Sequence, residues 1–283
     1  WPIRIMNPPT FIRNGALSNR RLATVLLAAC FSASTPFLAN SASEDAISFA
    51  EIASMEQEVI IPIPSEIFNV LDQFAIKRSD WRNELAIPKK RACKNRTHTA
   101  LFLGSVVAEG FLAVQAQDSD AITELGRALL EVADSLGLRK VVIKHSKSII
   151  DAAGKNDWQA LREEFDATRV TVRAEMQRRR DQHLSQCVSV GGWVRGTEIV
   201  TAIIKGKYSA EKAEILHQPD LIKHFNTTFK AKGYFRKNPR MQALIEKLGQ
   251  LEPLMAKDGN ISKVDVAQIY QICNQLGKNT IAP

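Results

Sequence analysis

The chain has 283 residues, of which 45% are hydrophobic and 24% are charged, and these values predict a globular protein with a sizeable core. Its formal charge is +8, but residues 1–43 hold four arginines, no lysine and no acidic residue. Without that segment the chain keeps 34 basic and 30 acidic residues, a surplus of +4. Domains that bind nucleic acid usually carry a larger basic surplus, so the charge argues against nucleic acid as a partner.

Residues 1–43 have the composition of an export signal. Two arginines at 20–21 provide the positive charge, and residues 22–33 form an apolar run within the usual length of roughly 7–15 residues. Small residues follow this run and offer two signal-peptidase sites, so we expect cleavage after Ser41 or Ser43. The mature protein is therefore predicted to be exported, to a bacterial periplasm or to the medium.

A bacterial lipoprotein signal is the alternative interpretation of this stretch. Residues 27–30 read Leu-Ala-Ala-Cys, a pattern in which the cysteine is acylated and becomes the first residue of the mature protein. Cys30 would then anchor the protein in the envelope. The apolar run itself is shorter than the ~20 residues that cross a bilayer, so it is not expected to be a transmembrane helix. We predict no transmembrane span in the mature chain.

Residues 44–64 form a lead-in segment, and residues 65–283 predict a single all-α domain, a helical bundle of about eight to ten helices. Pro88 is predicted to open a long helix that runs to about Gln117, because the missing N–H of proline has no cost at a helix N-terminus. Further helices are predicted at residues 118–136 and 139–153, and from Asp157, Ser209, Pro219, Asn238 and Ser262 onward.

Two predicted helices, at about residues 99–114 and 184–204, are apolar on every side. A helix of this kind belongs in the middle of a bundle, where other helices surround it. Each contains small residues four positions apart, Gly104 with Ala108 and Gly192 with Gly196. Such spacing allows another backbone to approach closely. We therefore predict that these two helices form the centre of the bundle.

Each apolar helix carries an isolated charge, Glu109 in the first and Arg195 in the second. Burying one unpaired charge costs several kcal/mol, so the two are predicted to form an interior salt bridge. Glu198 is an alternative partner for Arg195, because it lies three residues further along the same helix face. Glu109, Arg195 and Trp193 are candidates to line a ligand pocket. Alternatively, the pair is a polar core network that fixes how the two helices pack.

No motif for a catalytic, cofactor or metal site rises above background. The chain has no H-E-x-x-H motif, no G-x-S-x-G motif and no phosphate-binding glycine loop. We therefore predict no catalytic residue, no metal and no cofactor, and expect ordinary surface histidines. Cys93, Cys187 and Cys273 allow at most one disulfide, and buried free thiols are the favoured interpretation.

Four basic clusters remain, at residues 89–96, 139–147, 177–183 and 229–240. A solvated charged face is the simplest explanation of such clusters. In an exported protein the alternative partners are anionic polymers or lipid headgroups of the cell envelope.

The stretches "LFLGSVVAEGFLAVQAQD" and "GGWVRGTEIVT" resemble parts of uncharacterised exported all-helical proteins of bacteria, over most of residues 65–275. The resemblance implies an exported helical fold and brings no activity, cofactor or substrate with it. We expect a non-enzymatic binding or interaction module of the bacterial cell envelope, whose partner is an envelope protein or an anionic polymer or lipid. The alternative is an enzyme or small-ligand binder with its site around Glu109 and Arg195.

Overall fold

The computed structural model describes residues 72, 77–89, 91 and 93–283. The predicted export signal with Cys30 and the lead-in segment at residues 44–64 lie outside the described residues. No strand occurs in the described part of the chain, and the predicted all-α fold is confirmed. The helices are α1 Arg78–Asn83, α2 Arg96–Ala116, α3 Ser119–Ser135, α4 Arg139–Gly154, α5 Trp158–Arg178, α6 Gln182–Gly206, α7 Ala210–Ala213, α8 Pro219–Ala231, α9 Gly233–Arg236, α10 Pro239–Met255 and α11 Lys263–Leu276, with a 3-10 turn at Glu214–Leu216 and a π-helical turn at Gly277–Ile281.

Six of the described helices begin after a polar residue whose side chain caps the first turn. Such a residue accepts a hydrogen bond from a backbone N–H in the first turn, which satisfies a donor that the helix itself leaves unpaired. Ser262 and Asp265 form a reciprocal capping box at the start of α11. Five further helices are capped by one residue each: Asn95 at α2, Asp118 at α3, Asp157 at α5, Ser209 at α7 and Asn238 at α10.

The predicted start of the long helix at Pro88 is wrong, because α2 begins at Arg96. Asn95 caps this helix by accepting the N–H of His98 at 2.9 Å. Residues 85–88 are not helical, and the backbone N–H of Ala86 donates to the carboxylate of Glu109 instead. Two specific hydrogen bonds thus outweigh the preference of proline for a helix start.

Helices α2 and α6 form the centre of the bundle, as predicted. Every residue of α2 from His98 to Ala116 except Ser105 is buried. α6 packs along α2, and α3, α5 and α11 cover the pair from other sides. Both helices are long and apolar enough to cross a membrane, yet 94% and 72% of their most apolar windows are buried inside the protein. Burial by neighbouring helices accounts for their hydropathy.

Glycines bring the backbones of α2 and α6 into direct contact. A Cβ atom on Gly104 would lie 2.0 Å from the carbonyl oxygen of Val188, and one on Gly191 would lie 2.0 Å from the carbonyl oxygen of Leu101. Gly192 faces Gly104 at the same crossing. Gly196, which the sequence pairs with Gly192, has nothing within 4 Å of its Cβ position and takes no part. The crossing therefore depends on three glycines, one of which the four-residue spacing misses.

The cysteines of the described residues are free thiols. Cys187 and Cys273 are fully buried in the core, while Cys93 is half-buried. Burial raises the pKa of both core thiols far above its usual range, because a thiolate there would lose its hydration. These two residues therefore serve as small apolar core residues, as the favoured interpretation of the sequence expects.

Candidate functional site

The two isolated charges of the central helices meet in the interior. The guanidinium Nε of Arg195 donates to Glu109 Oε1 at 2.5 Å, and Glu109 is only 3% exposed. The second carboxylate oxygen of Glu109 accepts the backbone N–H of Ala86 at 3.0 Å. The predicted interior salt bridge is therefore present, and it also fixes the loop that precedes α2.

Glu198, the alternative partner, binds Arg195 as well. Arg195 Nη1 lies 2.9 Å from Glu198 Oε2, and Asn274 in α11 donates to the other oxygen of Glu198 at 2.6 Å. The second terminal nitrogen, Nη2, donates to the backbone carbonyl of Glu84. Glu109, Arg195 and Glu198 are called the ion triad below. Their hydrogen bonds connect α2, α6, α11 and the loop after α1.

Trp193 does not join the ion triad, which corrects the candidate set from the sequence. It precedes Arg195 by two residues, a rotation of about 200° around the helix, and so it faces the other side of α6. Its indole N–H donates to Gln218 at 2.9 Å, and its ring packs against Phe225 with centroids 5.3 Å apart. Trp193 therefore belongs to the core between α6 and α8.

Burial changes the acidity of the groups in and beside the ion triad. It raises the pKa of Glu109, and the attraction of Arg195 offsets this only in part. Burial also raises the pKa of neighbouring Glu84, an effect that Arg195 opposes and Glu198 reinforces, so Glu84 holds a proton more readily than an exposed glutamate does. For Arg195 burial acts against the charge, but the two carboxylates outweigh it and raise the pKa. The guanidinium therefore stays charged.

An open cavity of about 560 Å³ reaches the ion triad. All three residues of the triad line it, together with the loop at residues 84–89 and the end of the chain from Tyr270 onward. Exposed Lys89 and Lys278 lie on the same lining as buried Phe102, so the cavity runs from the surface into the core. Pockets that hold small organic ligands usually have volumes of roughly 300–1,000 Å³, and this cavity falls within that range.

A buried histidine holds one wall of the cavity in place. His98 Nε2 lies 3.1 Å from the carbonyl oxygen of Ile281 and 2.9 Å from that of Ala282, which lines the cavity. Its Nδ1 accepts the backbone N–H of Lys94 at 3.4 Å. These contacts require a neutral ring protonated at Nε2, and burial lowers the pKa of His98 accordingly. The expectation of surface histidines is wrong here, because His98 is 1% exposed.

Several residues of the site have no signal in the sequence. Glu84 and Ala86 belong to a loop just before the predicted helix start, and they reach the triad through backbone atoms. Asn274 lies in the last helix with no motif around it, and only the packing of α11 against α6 brings it to Glu198. His98 is an exception. It follows the capping residue Asn95 by three positions at the start of an apolar helix, and this position indicates a buried residue.

The site combines a buried ion triad with an open cavity. Within the described part of the chain, no group of three or more His, Cys, Asp and Glu side chains is placed to hold a metal ion. Glu109 and Glu198 are both committed to Arg195, so neither is poised as an independent base. What the arrangement can do is bind a ligand between a charged floor and apolar walls.

Comparisons of the chain with protein-family models, with curated proteins and with solved structures found no match. The function has therefore to be inferred from the geometry of the cavity and from the surface of the protein.

Proposed function

We propose that the protein is an exported, non-enzymatic binding module of the bacterial cell envelope, and that the cavity beside the ion triad holds a small organic ligand. The observation that supports this is the open cavity of about 560 Å³ that reaches a buried set of charges. A triad with only a structural role needs no opening to the surface. An open cavity at the same place gives a ligand access to the charges.

The charges of the cavity favour a cationic ligand. Among the described residues, its inner lining contains the carboxyl groups of Glu84, Glu109 and Glu198 and one cation, Arg195. Glu109 and Glu198 alone exceed that cation by one charge, even when Glu84 holds a proton. Lys89 and Lys278 line the outer part, where solvent and salt screen their charge. Charges interact more strongly at low dielectric, so the buried carboxylates act more strongly on a ligand than the exposed lysines do. An ammonium group deep in the cavity would compensate the surplus of carboxylates.

The apolar part of the lining defines the rest of the ligand. Leu85, Ile87 and Phe102 line the cavity, and Ile87 is 37% exposed, which is high for a large hydrophobic side chain. A hydrocarbon or aromatic body against these side chains would remove apolar surface from water at about 25 cal/mol per Å². The ligand class is therefore a primary amine with an apolar body.

Phenethylamine and hydrocinnamate are matched probes for this proposal, since they share a phenyl ring on a short chain and differ in the sign of their charge. We expect isothermal titration calorimetry near pH 7 to show that phenethylamine binds at least about tenfold more tightly than hydrocinnamate, because the inner carboxylates attract one and repel the other. Equal affinities, or no binding of the amine at millimolar concentration, would contradict the proposal.

Two variants locate the amine within the protein. Glu198→Gln removes a carboxylate from the cavity but keeps an amide that can face Asn274, and it should weaken phenethylamine binding at least about fivefold. Glu175→Gln is the matched control, because Glu175 pairs with Arg178 and Arg179 at the surface and does not line the cavity. The affinity of Glu175→Gln for phenethylamine should equal that of the parent protein. Circular dichroism would verify that both variants are folded.

Export is tested by the intact mass of the protein recovered from outside the cytoplasm of a bacterial host. We expect a mass that corresponds to a chain beginning after Ser41 or Ser43, as the small residues before these positions predict. A diacylglyceryl adduct on Cys30 would instead identify the lipoprotein alternative. An unprocessed chain confined to the cytoplasm would contradict export.

A further inference from the structure

Three basic segments that are far apart in the sequence meet at one end of the bundle. Arg96, in the first segment, pairs with Asp181 at 2.7 Å. His183, two residues further on, packs edge-on against the ring of Tyr234 with centroids 5.4 Å apart. Arg240, at the far end of the third segment, donates to the carbonyl of Thr280 at 2.5 Å, beside the carbonyls that His98 binds. Residues 94–96, 180–183 and 230–240 are called the basic end below.

The basic end carries a large surplus of positive charge. Its residues include eight lysines and arginines against the one carboxylate of Asp181. Six of these cations are exposed and form no ion pair with any residue that the structure describes. They are Lys94, Arg180, Lys230, Lys232, Arg236 and Lys237. Like charges at this density repel one another, and an anionic partner would relieve that repulsion.

Tyr234 gives the basic end an exposed aromatic ring among its cations. The side chain is 48% exposed, whereas its neighbour Phe235 is buried in the core. The ring packs at a tilt against that of Phe235, with centroids 4.3 Å apart, so one side of it rests on the core. Tyrosine is enriched where membrane meets water, since its ring enters the headgroup region while its hydroxyl stays hydrated.

Helix termini of both kinds meet at this end. The long helices α2, α6 and α10 all begin here, at Arg96, Gln182 and Pro239. α5 and α8 end here, at Arg178 and Ala231, and the partial negative charges of these C-termini oppose the partial positive charges of the N-termini. The positive potential therefore comes from the lysines and arginines. The surplus thus extends over a broad surface built from three chain segments and is not concentrated at one point.

We propose that the basic end docks onto the surface of an anionic phospholipid bilayer. A broad array of exposed cations suits many headgroups at once, and an exposed tyrosine beside them suits the interface between headgroups and acyl chains. The cavity at the ion triad has the opposite character, a carboxylate-rich interior, so the two features bind different partners. This proposal is independent of the ligand that the cavity holds.

Vesicle co-sedimentation of the full chain tests this proposal. The parent protein should bind vesicles that contain phosphatidylglycerol more tightly than vesicles of phosphatidylcholine alone, and rising salt should weaken the difference. The apolar run at residues 22–33 can bind both kinds of vesicle. The quantity to compare is therefore the difference in binding between anionic and phosphatidylcholine vesicles. The variant Lys232→Glu/Arg236→Glu/Lys237→Glu should reduce binding to the anionic vesicles at least about tenfold.

A matched control uses the basic cluster at residues 139–147, which lies on α4 and is not part of the basic end. The variant Lys140→Glu/Lys144→Glu/Lys147→Glu reverses three exposed charges of the same kind and should bind anionic vesicles within about twofold of the parent. Equal losses in the two variants would overturn the proposal, because binding would then follow net charge alone. Retention of the parent on heparin without retention on anionic vesicles would also overturn it, in favour of a soluble polyanion.

Discussion

Replacing Gly104 with alanine is expected to destabilise the protein by about 3 kcal/mol or more. The added methyl group would lie 2.0 Å from the carbonyl oxygen of Val188 and 2.6 Å from the backbone nitrogen of Gly192. Both neighbours are backbone atoms of α6, so neither can turn aside as a side chain could. The two central helices must move apart, and the core around them loses its close packing. Urea unfolding followed by circular dichroism measures the loss.

Gly196→Ala is the matched control for this substitution. Gly196 lies in the same apolar helix as Gly192 and is also buried, but nothing lies within 4 Å of its Cβ position. Alanine there should be neutral or stabilise the protein by up to about 1 kcal/mol, because alanine favours the helix over glycine. Similar losses in both variants would contradict the proposed crossing at Gly104.

Replacing Arg195 with methionine is expected to cost about 3–5 kcal/mol near neutral pH. The variant leaves Glu109 and Glu198 in the interior without their shared cation, and it removes the bond to the carbonyl of Glu84. Buried carboxylates without a partner are far more costly than an intact buried pair. Arg178→Met is the control, since Arg178 is exposed and its pairing with Glu175 is a surface contact. That control should unfold at nearly the same urea concentration as the parent.

The cost of Arg195→Met should depend on pH in a defined direction. Burial already raises the pKa of Glu109, and without the guanidinium its folded-state pKa rises further above the unfolded value of about 4.3. A carboxyl group whose pKa is raised on folding favours the folded state below the unfolded pKa, and this contribution is lost as pH rises through the folded pKa. The deficit of the variant relative to the parent should therefore be small near pH 4 and grow toward pH 8. A constant deficit over that range would contradict the burial of ionised carboxylates.

The centre of the fold could be predicted because its sequence signals are physical constraints. Two helices that are apolar on every side have to be surrounded by other helices, and this places α2 and α6 in the middle. An isolated glutamate in one and an isolated arginine in the other have to pair, since an unpaired buried charge is too costly. Both inferences depend on burial alone and not on the detailed path of the chain.

The errors come from quantities that local sequence does not contain. Spacing identifies small residues on α6 but not the rotation of the helix, so it selects Gly196 where Gly191 lies at the contact. Because the sequence does not show how α6 is rotated, it also groups Trp193 with Arg195, although Trp193 faces α8. Pro88 predicts a helix start that the cap at Asn95 supersedes. In each case a tertiary contact decides between alternatives that the local pattern leaves open.

The cavity itself lay beyond prediction because it is built from three separated parts of the chain. The loop at residues 84–89, the middle of the central helices and the end of the chain become neighbours only through the packed fold. The surplus of inner carboxylates follows from the partial burial of Glu84 and the burial of Glu198, and sequence alone gives neither. The ligand class that we propose therefore depends on the geometry of the folded chain and not on a sequence motif.

A crystal structure of the protein with phenethylamine tests the central claim most directly. We predict electron density for the amine inside the cavity, with its ammonium within hydrogen-bonding distance, about 3 Å, of the Glu84 or Glu198 carboxylate and its ring against Phe102. An empty cavity at saturating amine, or density for the amine only on the surface, would contradict the assignment of the cavity as a binding site for organic cations.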